Sequence, residues 1–208
     1  MFLKIVILIA LICATPVFGA SLYVSPSGSE SACTEGSPCT LRTANASVAA
    51  GDTVYMMDGT YAHTTSGPYC GICPAVSGQS DAKITYTKYA GATPIITLGD
   101  DNYAALKLSD RDYIVVDGIT VHDNYRWAYV MNGSDYNEIK NCLFYNTTKK
   151  TNQGFFIYGY VSGSDYSNGS THNWVHGNTF YNLYLSPCSE GGDIIRVGSA
   201  SNGDGSNM

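Results

Sequence analysis

The sequence predicts an all-β protein, a right-handed parallel β-helix whose short strands wind into a stacked solenoid. Three observations predict it: abundant Gly, Ser, Asn, Thr and Tyr with few charged residues, a strand–bend–strand motif that recurs, and a recurrence interval that suits one coil. Such a composition favours short strands and many turns over helices. A single coil cannot bury its apolar face alone, so neighbouring coils must stack to make a core.

At the N-terminus, Met1 to Ala20 carries one early basic residue, Lys4, then an apolar run from Ile5 to Ile12 and small residues after Pro16. This is the pattern of a signal peptide, with cleavage expected after Gly19 and a β-helix domain spanning 20–208. The run is too short to cross a membrane as a helix, and no second one follows. The reading is therefore a secreted, extracellular protein without a membrane span.

The formal net charge is −6, and removal of Lys4 with the signal makes it one unit more negative. A general nucleic-acid or anionic-membrane binder is disfavoured. An acidic glycan as partner would need a local basic cleft to overcome the global repulsion.

Six of the seven cysteines lie beyond the signal, in an oxidising compartment where disulfides are the default. Cys33 and Cys39 flank the turn-forming Thr34 to Pro38, which a local bridge would staple. Cys70 and Cys73 form a CxxC pair, read as a structural loop bridge because no second pair stands at zinc-ribbon spacing. Cys142 and Cys188 then pair by elimination.

Thr40 to Ala50 is the one plausible helix, placed to cap the open bottom of the stack and shield its strand edges. Gly51 to Tyr61 reads as a strand ending in a turn, and Lys83 to Leu98 as two strands around Tyr89 to Ala92. The repeat then appears when Val115–Asn124 is set above Glu138–Thr147 and Trp174–Leu183. In each segment an apolar residue is followed two positions later by Gly or Asn, where a left-handed bend is tolerated. Val116 to Ile139 spans 23 residues, one coil; Ile139 to Val175 spans 36, one coil with an insertion at the Gly/Ser/Asn-rich Val161 to Thr171.

Asp193 to Gly198 looks like one more coil strand, followed by a polar, Gly-rich tail without apolar periodicity. That abrupt end predicts a chain lacking its C-terminal coils.

Several segments together resemble the right-handed β-helix proteins of polysaccharide lyase family six, the alginate lyases and chondroitinase B. They are Leu22 to Ser29, Gly51 to Tyr61, Ile84 to Tyr86 with Pro94 to Ile96, Asp112 to Ile119, and Gly191 to Gly198. The last is similar to a Gly-Glu-Thr-Ile-Arg-Ile-Gly element of that family, with Asp193 where the family carries Glu. The resemblance implies β-elimination on a uronate glycan. A calcium ion held by Asn and Glu side chains would neutralise the carboxylate, and a Lys would take the C5 proton. Those residues belong to a Glu-x-Glu and Lys pattern beyond the Arg196 element, and residues 199–208 do not supply it. No catalytic residue is therefore carried onto this chain, and calcium is expected in a longer relative.

Arg196 is the foremost candidate for contacting an acidic glycan, because a guanidinium fork suits a carboxylate. The other reading is an ordinary ladder-paired arginine. Asp193, on the same strand, is expected to share its face and position it. Tyr125, Trp127 and Tyr129, and later Phe155, Phe156, Tyr158 and Tyr160, could stack on sugars, although core packing is the commoner role. His122, His172 and His176 read as turn or surface residues. Asn124, Asn146 and Asn182 fall near equivalent positions and suggest an amide ladder. Sequons occur at Asn45, Asn132, Asn146 and Asn168, of which Asn146 is an unfavourable glycan acceptor if it joins that ladder.

Two functions follow. One is a fragment of a polysaccharide lyase without its catalytic coils; the other is a non-catalytic glycan-binding or adhesive surface solenoid. A hydrolase or epimerase needs paired carboxylates or a His–Asp pair, and neither is persuasively placed.

Overall fold

In a β-strand successive side chains point to opposite faces, so a run such as Thr53–Met56, with Val54 and Met56 buried and Thr53 and Tyr55 half-buried, sends one row inward and one outward. The computed structural model repeats this device along the chain, and it describes residues 19–29, 32–62, 70–130, 133–146, 153–158, 170–182 and 193–198.

A leading strand β1 (Ser21–Ser29) and a short helix α1 (Leu41–Ser47) precede the coils. The coils run β2 (Thr53–Met56), β3 (Gly59–Ala62), β4 (Cys70–Ile72); β5 (Ile84–Lys88), β6 (Pro94–Thr97), β7 (Gly99–Lys107); and β8 (Ile114–Asp117), β9 (Thr120–His122), β10 (Asn124–Val130). Two more follow: β11 (Glu138–Lys140), β12 (Leu143–Tyr145), β13 (Gln153–Tyr158), and β14 (Trp174–His176), β15 (Thr179–Tyr181), β16 (Asp193–Gly198). Each coil gives one strand to each of three sheets. The first sheet has the order β1-β2-β5-β8-β11-β14, the second β15-β12-β9-β6-β3, and the third β16-β13-β10-β7-β4. Every strand pairing is parallel, as a solenoid requires.

The repeat read from the sequence is the register of the first sheet: Val116 pairs with Ile139 and Ile139 with Val175. The bends also fall where expected, with Gly118, Asn141 and Gly177 at φ of 74°, 53° and 64°. Two further corner columns share the left-handed conformation. One is Asp123, Asn146 and Asn182 (φ 53°, 49° and 51°); the other is Tyr113, Tyr136 and His172 (φ 56°, 57° and 55°). A non-glycine residue held there costs roughly 1–2 kcal/mol. The rings in the second column offset this by stacking, Tyr113 on Tyr136 at 4.9 Å and Tyr136 on His172 at 4.5 Å.

The core is the set of inward rows. Val54, Tyr86, Val116 and Ile139 line the first sheet, Ile96, Val121 and Phe144 the second, and Ile72, Leu106 and Ala128 the third, all buried. Phe144 stacks on Phe180 at 5.3 Å and meets Trp127 at 5.5 Å, so Trp127 serves the core rather than a sugar. Gly71 has no room for a side chain, because a Cβ there would sit 2.7 Å from Ala105 O on the neighbouring strand.

Helix α1 is shorter than the Thr40–Ala50 expected: Thr40 Oγ1 caps it by accepting from Thr43 N at 3.1 Å, and Val48 leaves it with an extended ψ of 141°. It covers the base of the stack through Leu41, Ala44 and Asn45. Asn45 is buried, donating from Nδ2 to Gly71 O at 2.8 Å and accepting from the Tyr86 hydroxyl at 2.9 Å. Burial drives the Tyr86 phenol well above its ordinary range. This sequon is therefore closed to glycosylation in the folded chain.

Two disulfides form as expected, Cys33–Cys39 and Cys70–Cys73. The third pairing is corrected: Cys142 is a free, buried thiol whose Sγ lies 3.1 Å from Lys140 O. It follows the Asn141 bend and is packed in the core. Cys188 lies outside the described residues, as do Asn132, Asn168, Tyr160 and the signal segment 1–18. The amide ladder is also shifted by one place. Asn182 donates to Asn146 Oδ1, and the third member of that column is Asp123, whereas Asn124 begins β10.

Candidate functional site

The outer face of the first sheet is built by two rows in continuous register. One runs Ser21, Thr53, Thr85, Val115, Glu138, Trp174; the other runs Tyr23, Tyr55, Thr87, Asp117, Lys140, His176. Six strands at about 4.8 Å spacing make a flat strip about 24 Å long. Only Val115 on it is aliphatic; the rest can hydrogen-bond or stack.

At the base of the strip, Tyr23 stacks on Tyr55 at 5.3 Å, and Tyr89 stands edge-on to both. The Tyr89 hydroxyl donates to Glu35, whose acceptor and charge hold that phenol above its usual range.

The other end is charged. Glu138 Oε1 accepts from Lys140 Nζ at 2.9 Å and lies 3.0 Å from His176 Nε2, while Lys83 Nζ is 3.8 Å from Oε2. Partial burial pulls the Glu138 carboxyl upward, but the His176 and Lys140 hydrogen bonds, with the Lys140 and Lys83 charges, outweigh it and hold the group below the ordinary glutamate range. Trp174 stacks on His176 at 3.9 Å and is 60% exposed. Asp117 is engaged separately, accepting from Asn141 Nδ2 at 2.8 Å.

Arg196 and Asp193 are both on β16, the outer strand of the third sheet, where Arg196 pairs with Phe156 and Asp193 with Gln153. The structure therefore puts them on a different sheet from the Glu138 cluster. They are three positions apart on that strand.

The histidines occupy turns and outer rows as expected, yet two have carboxylate neighbours. His122 Nδ1 lies 2.7 Å from Asp123 Oδ2, and His176 lies against Glu138 across 38 residues of sequence. Sequence reasoning missed the second pair. The signal was present in the aligned repeats, which set Glu138 above Trp174 and Lys140 above His176.

Among the described residues no group of three or more His, Cys, Asp and Glu side chains could hold a metal ion. No helix among the described residues is long and apolar enough to cross a membrane.

A repeated parallel coil of this geometry admits many chemistries. The family described as the Pel9A-like, right-handed beta helix region matches residues 22–193. The chain belongs to the Pel9A-like right-handed β-helix family. The match is to the Pel9A-like family, and membership of family six is not shown by it. Among solved structures, the Pel9A-like chain is similar to a rhamnogalacturonan lyase, with TM-score 0.55 and 16% identity over 88% of this chain and 63% of the other. It is also similar to the pectate lyase Pel9A, with TM-score 0.47 and 15% identity over 77% of this chain and 46% of that one. The Pel9A-like chain thus spans less than two thirds of the length of either. At 16% identity the likeness to the rhamnogalacturonan lyase shows the shared fold alone. No curated protein matches it in sequence.

Proposed function

We propose that this chain is the leading portion of a secreted polysaccharide lyase that cleaves uronate-containing glycans by β-elimination, with its signal peptide at 1–19. The observation that carries the reading is the Pel9A-like match across residues 22–193. The two disulfides suit the oxidising compartment that secretion implies.

In β-elimination a base takes the C5 proton, the electron pair forms the C4–C5 double bond, and the C4 oxygen departs with the leaving sugar. The developing charge on the uronate carboxylate must be neutralised. We assign that chemistry, and any calcium it uses, to coils of a longer protein. The coils described here bind and align the glycan. Arg196 would meet the glycan carboxylate, and Asp193 would take a supporting part in the same strand.

A second reading, a non-catalytic glycan-binding solenoid, is favoured by the polar and aromatic strip on the first sheet. The two are separated by incubating the present chain and a longer product of the same gene with pectate, alginate and chondroitin sulfate. The lyase reading expects unsaturated-uronate absorbance from the longer product alone. Glycan binding by both without absorbance from either would overturn it in favour of the second.

A further inference from the structure

We propose that the Trp174 end of the first sheet is a binding subsite for one anionic sugar residue. The indole of Trp174 would stack on the sugar ring, and Lys140 and Lys83 would hold its acidic group. The proposal rests on the reading that the ligand is a glycan, but it lies on a different sheet from Arg196 and needs no catalytic coil.

Three observations point there. Trp174 is 60% exposed on a regular strand, and one face of its ring is already fixed by His176 at 3.9 Å, leaving the other free to stack. Its position is held from behind, because Glu138 contacts His176 Nε2 at 3.0 Å and Lys140 at 2.9 Å. A pre-positioned aromatic loses little freedom on binding, which favours affinity.

The second observation is charge. Lys140 and Lys83 face one carboxylate, Glu138, with side chains 26%, 44% and 15% exposed respectively. The acid is thus the most covered of the three and the ammonium groups the more accessible. Each ammonium carries three donors, of which Glu138 can engage only some. Two ammonium groups converge on the one carboxylate of Glu138, and Asp117, the register partner of Lys140, is engaged by Asn141 Nδ2 at 2.8 Å, in a chain whose formal net charge is −6. The cluster supplies two accessible ammonium groups side by side, the local cation donors that an acidic glycan needs on such a protein.

Third, the spacing fits. Trp174 is opposite Glu138, and Lys140 is opposite His176, so Trp174 and Lys140 stand on the diagonal of two adjacent strands. Strand geometry puts their Cα atoms roughly 8 Å apart. A ring stacked on the indole can therefore direct its acidic substituent at Lys140 while remaining on the strip.

The test is titration of the purified chain with oligogalacturonate, with chondroitin sulfate oligosaccharide and with a neutral malto-oligosaccharide. Binding is read by calorimetry and by tryptophan fluorescence. Trp127 is buried, so a spectral change on binding reports Trp174. The expected result is binding of an anionic glycan that weakens with salt, with at least tenfold loss in Trp174→Ala and in the double variant Lys83→Met/Lys140→Met. Oligogalacturonate alone binding identifies a carboxylate ligand, and chondroitin sulfate alone a sulfated one; both outcomes support an anionic subsite. Unchanged thermal melting shows that the surface variants fold.

Anionic binding that survives both variants overturns the subsite and leaves the glycan reading in place. Equal binding of the neutral sugar overturns the anionic assignment. If no glycan binds this chain but the longer product is an active lyase, the subsite fails while the lyase reading stands.

Discussion

Asn173 Oδ1 accepts the backbone N–H of Asn137 at 2.9 Å, and Asn137 does the same to the coil beneath, accepting from Ile114 N at 2.9 Å. Each amide also donates to that coil, Asn173 to Ser134 O at 2.7 Å and Asn137 to Arg111 O at 2.8 Å. Asn178 repeats the arrangement at the next corner, accepting from Cys142 N and donating to Ile139 O. Corners leave backbone groups without a strand partner, and these side chains supply one.

Asn137 is buried, so Asn137→Ala strands both Ile114 N–H and Arg111 C=O. A loss of about 3 kcal/mol is expected in urea unfolding, against about 1 kcal/mol for the half-buried Asn173→Ala. Equal effects at the two sites would contradict the burial argument.

Phe144→Ala removes a ring that packs against both Trp127 and Phe180 in the core. The expected cost is about 4 kcal/mol, with a shift in Trp127 emission as its surroundings loosen. Chemical denaturation monitored by fluorescence measures both.

Glu138 is held below its ordinary pKa in the folded chain, so its contribution is present above the unfolded value of about 4.3 and disappears as pH falls through the folded one. Wild type should exceed Glu138→Gln in stability at neutral pH, and the gap should close between about pH 5 and the more acid range. A gap independent of pH would refute the ionic origin of the effect.

Burial pushes the Cys142 thiol up to about 12, and the Lys140 carbonyl is within its reach. The native protein should therefore resist alkylation at Cys142 at pH 8, with full reaction in urea without any reductant. Peptide mapping by mass spectrometry reads the site directly; protection that persists until a reductant is added would indicate a disulfide instead.

The solenoid was legible because its two requirements leave marks in single residues. Inward rows need alternating apolar positions, hence Val116, Ile139 and Val175, and left-handed corners need Gly or Asn, hence Gly118, Asn141 and Gly177. The contacts that join coils were harder to read, because Asn173 and His176 reach partners 36 and 38 residues earlier, and only the aligned repeats, not any local motif, bring Glu138 beside the His176 strand. Pairing cysteines by elimination failed at Cys142 for a related reason: a count assumes every thiol faces a partner, whereas this one completes the packing beneath a bend. The tyrosine corner was hidden by propensity, since Tyr113 and Tyr136 hold a backbone shape usually left to Gly or Asn and are stabilised there by each other.

Between Val116 and its counterpart Ile139 the chain takes 23 residues, and between Ile139 and Val175 it takes 36, yet all three stand in one unbroken row. Length added between coils is thus absorbed without displacing the lattice of strands. Evolution, or a protein engineer grafting a foreign peptide between β13 and β14, can vary what is displayed there and keep the scaffold unchanged.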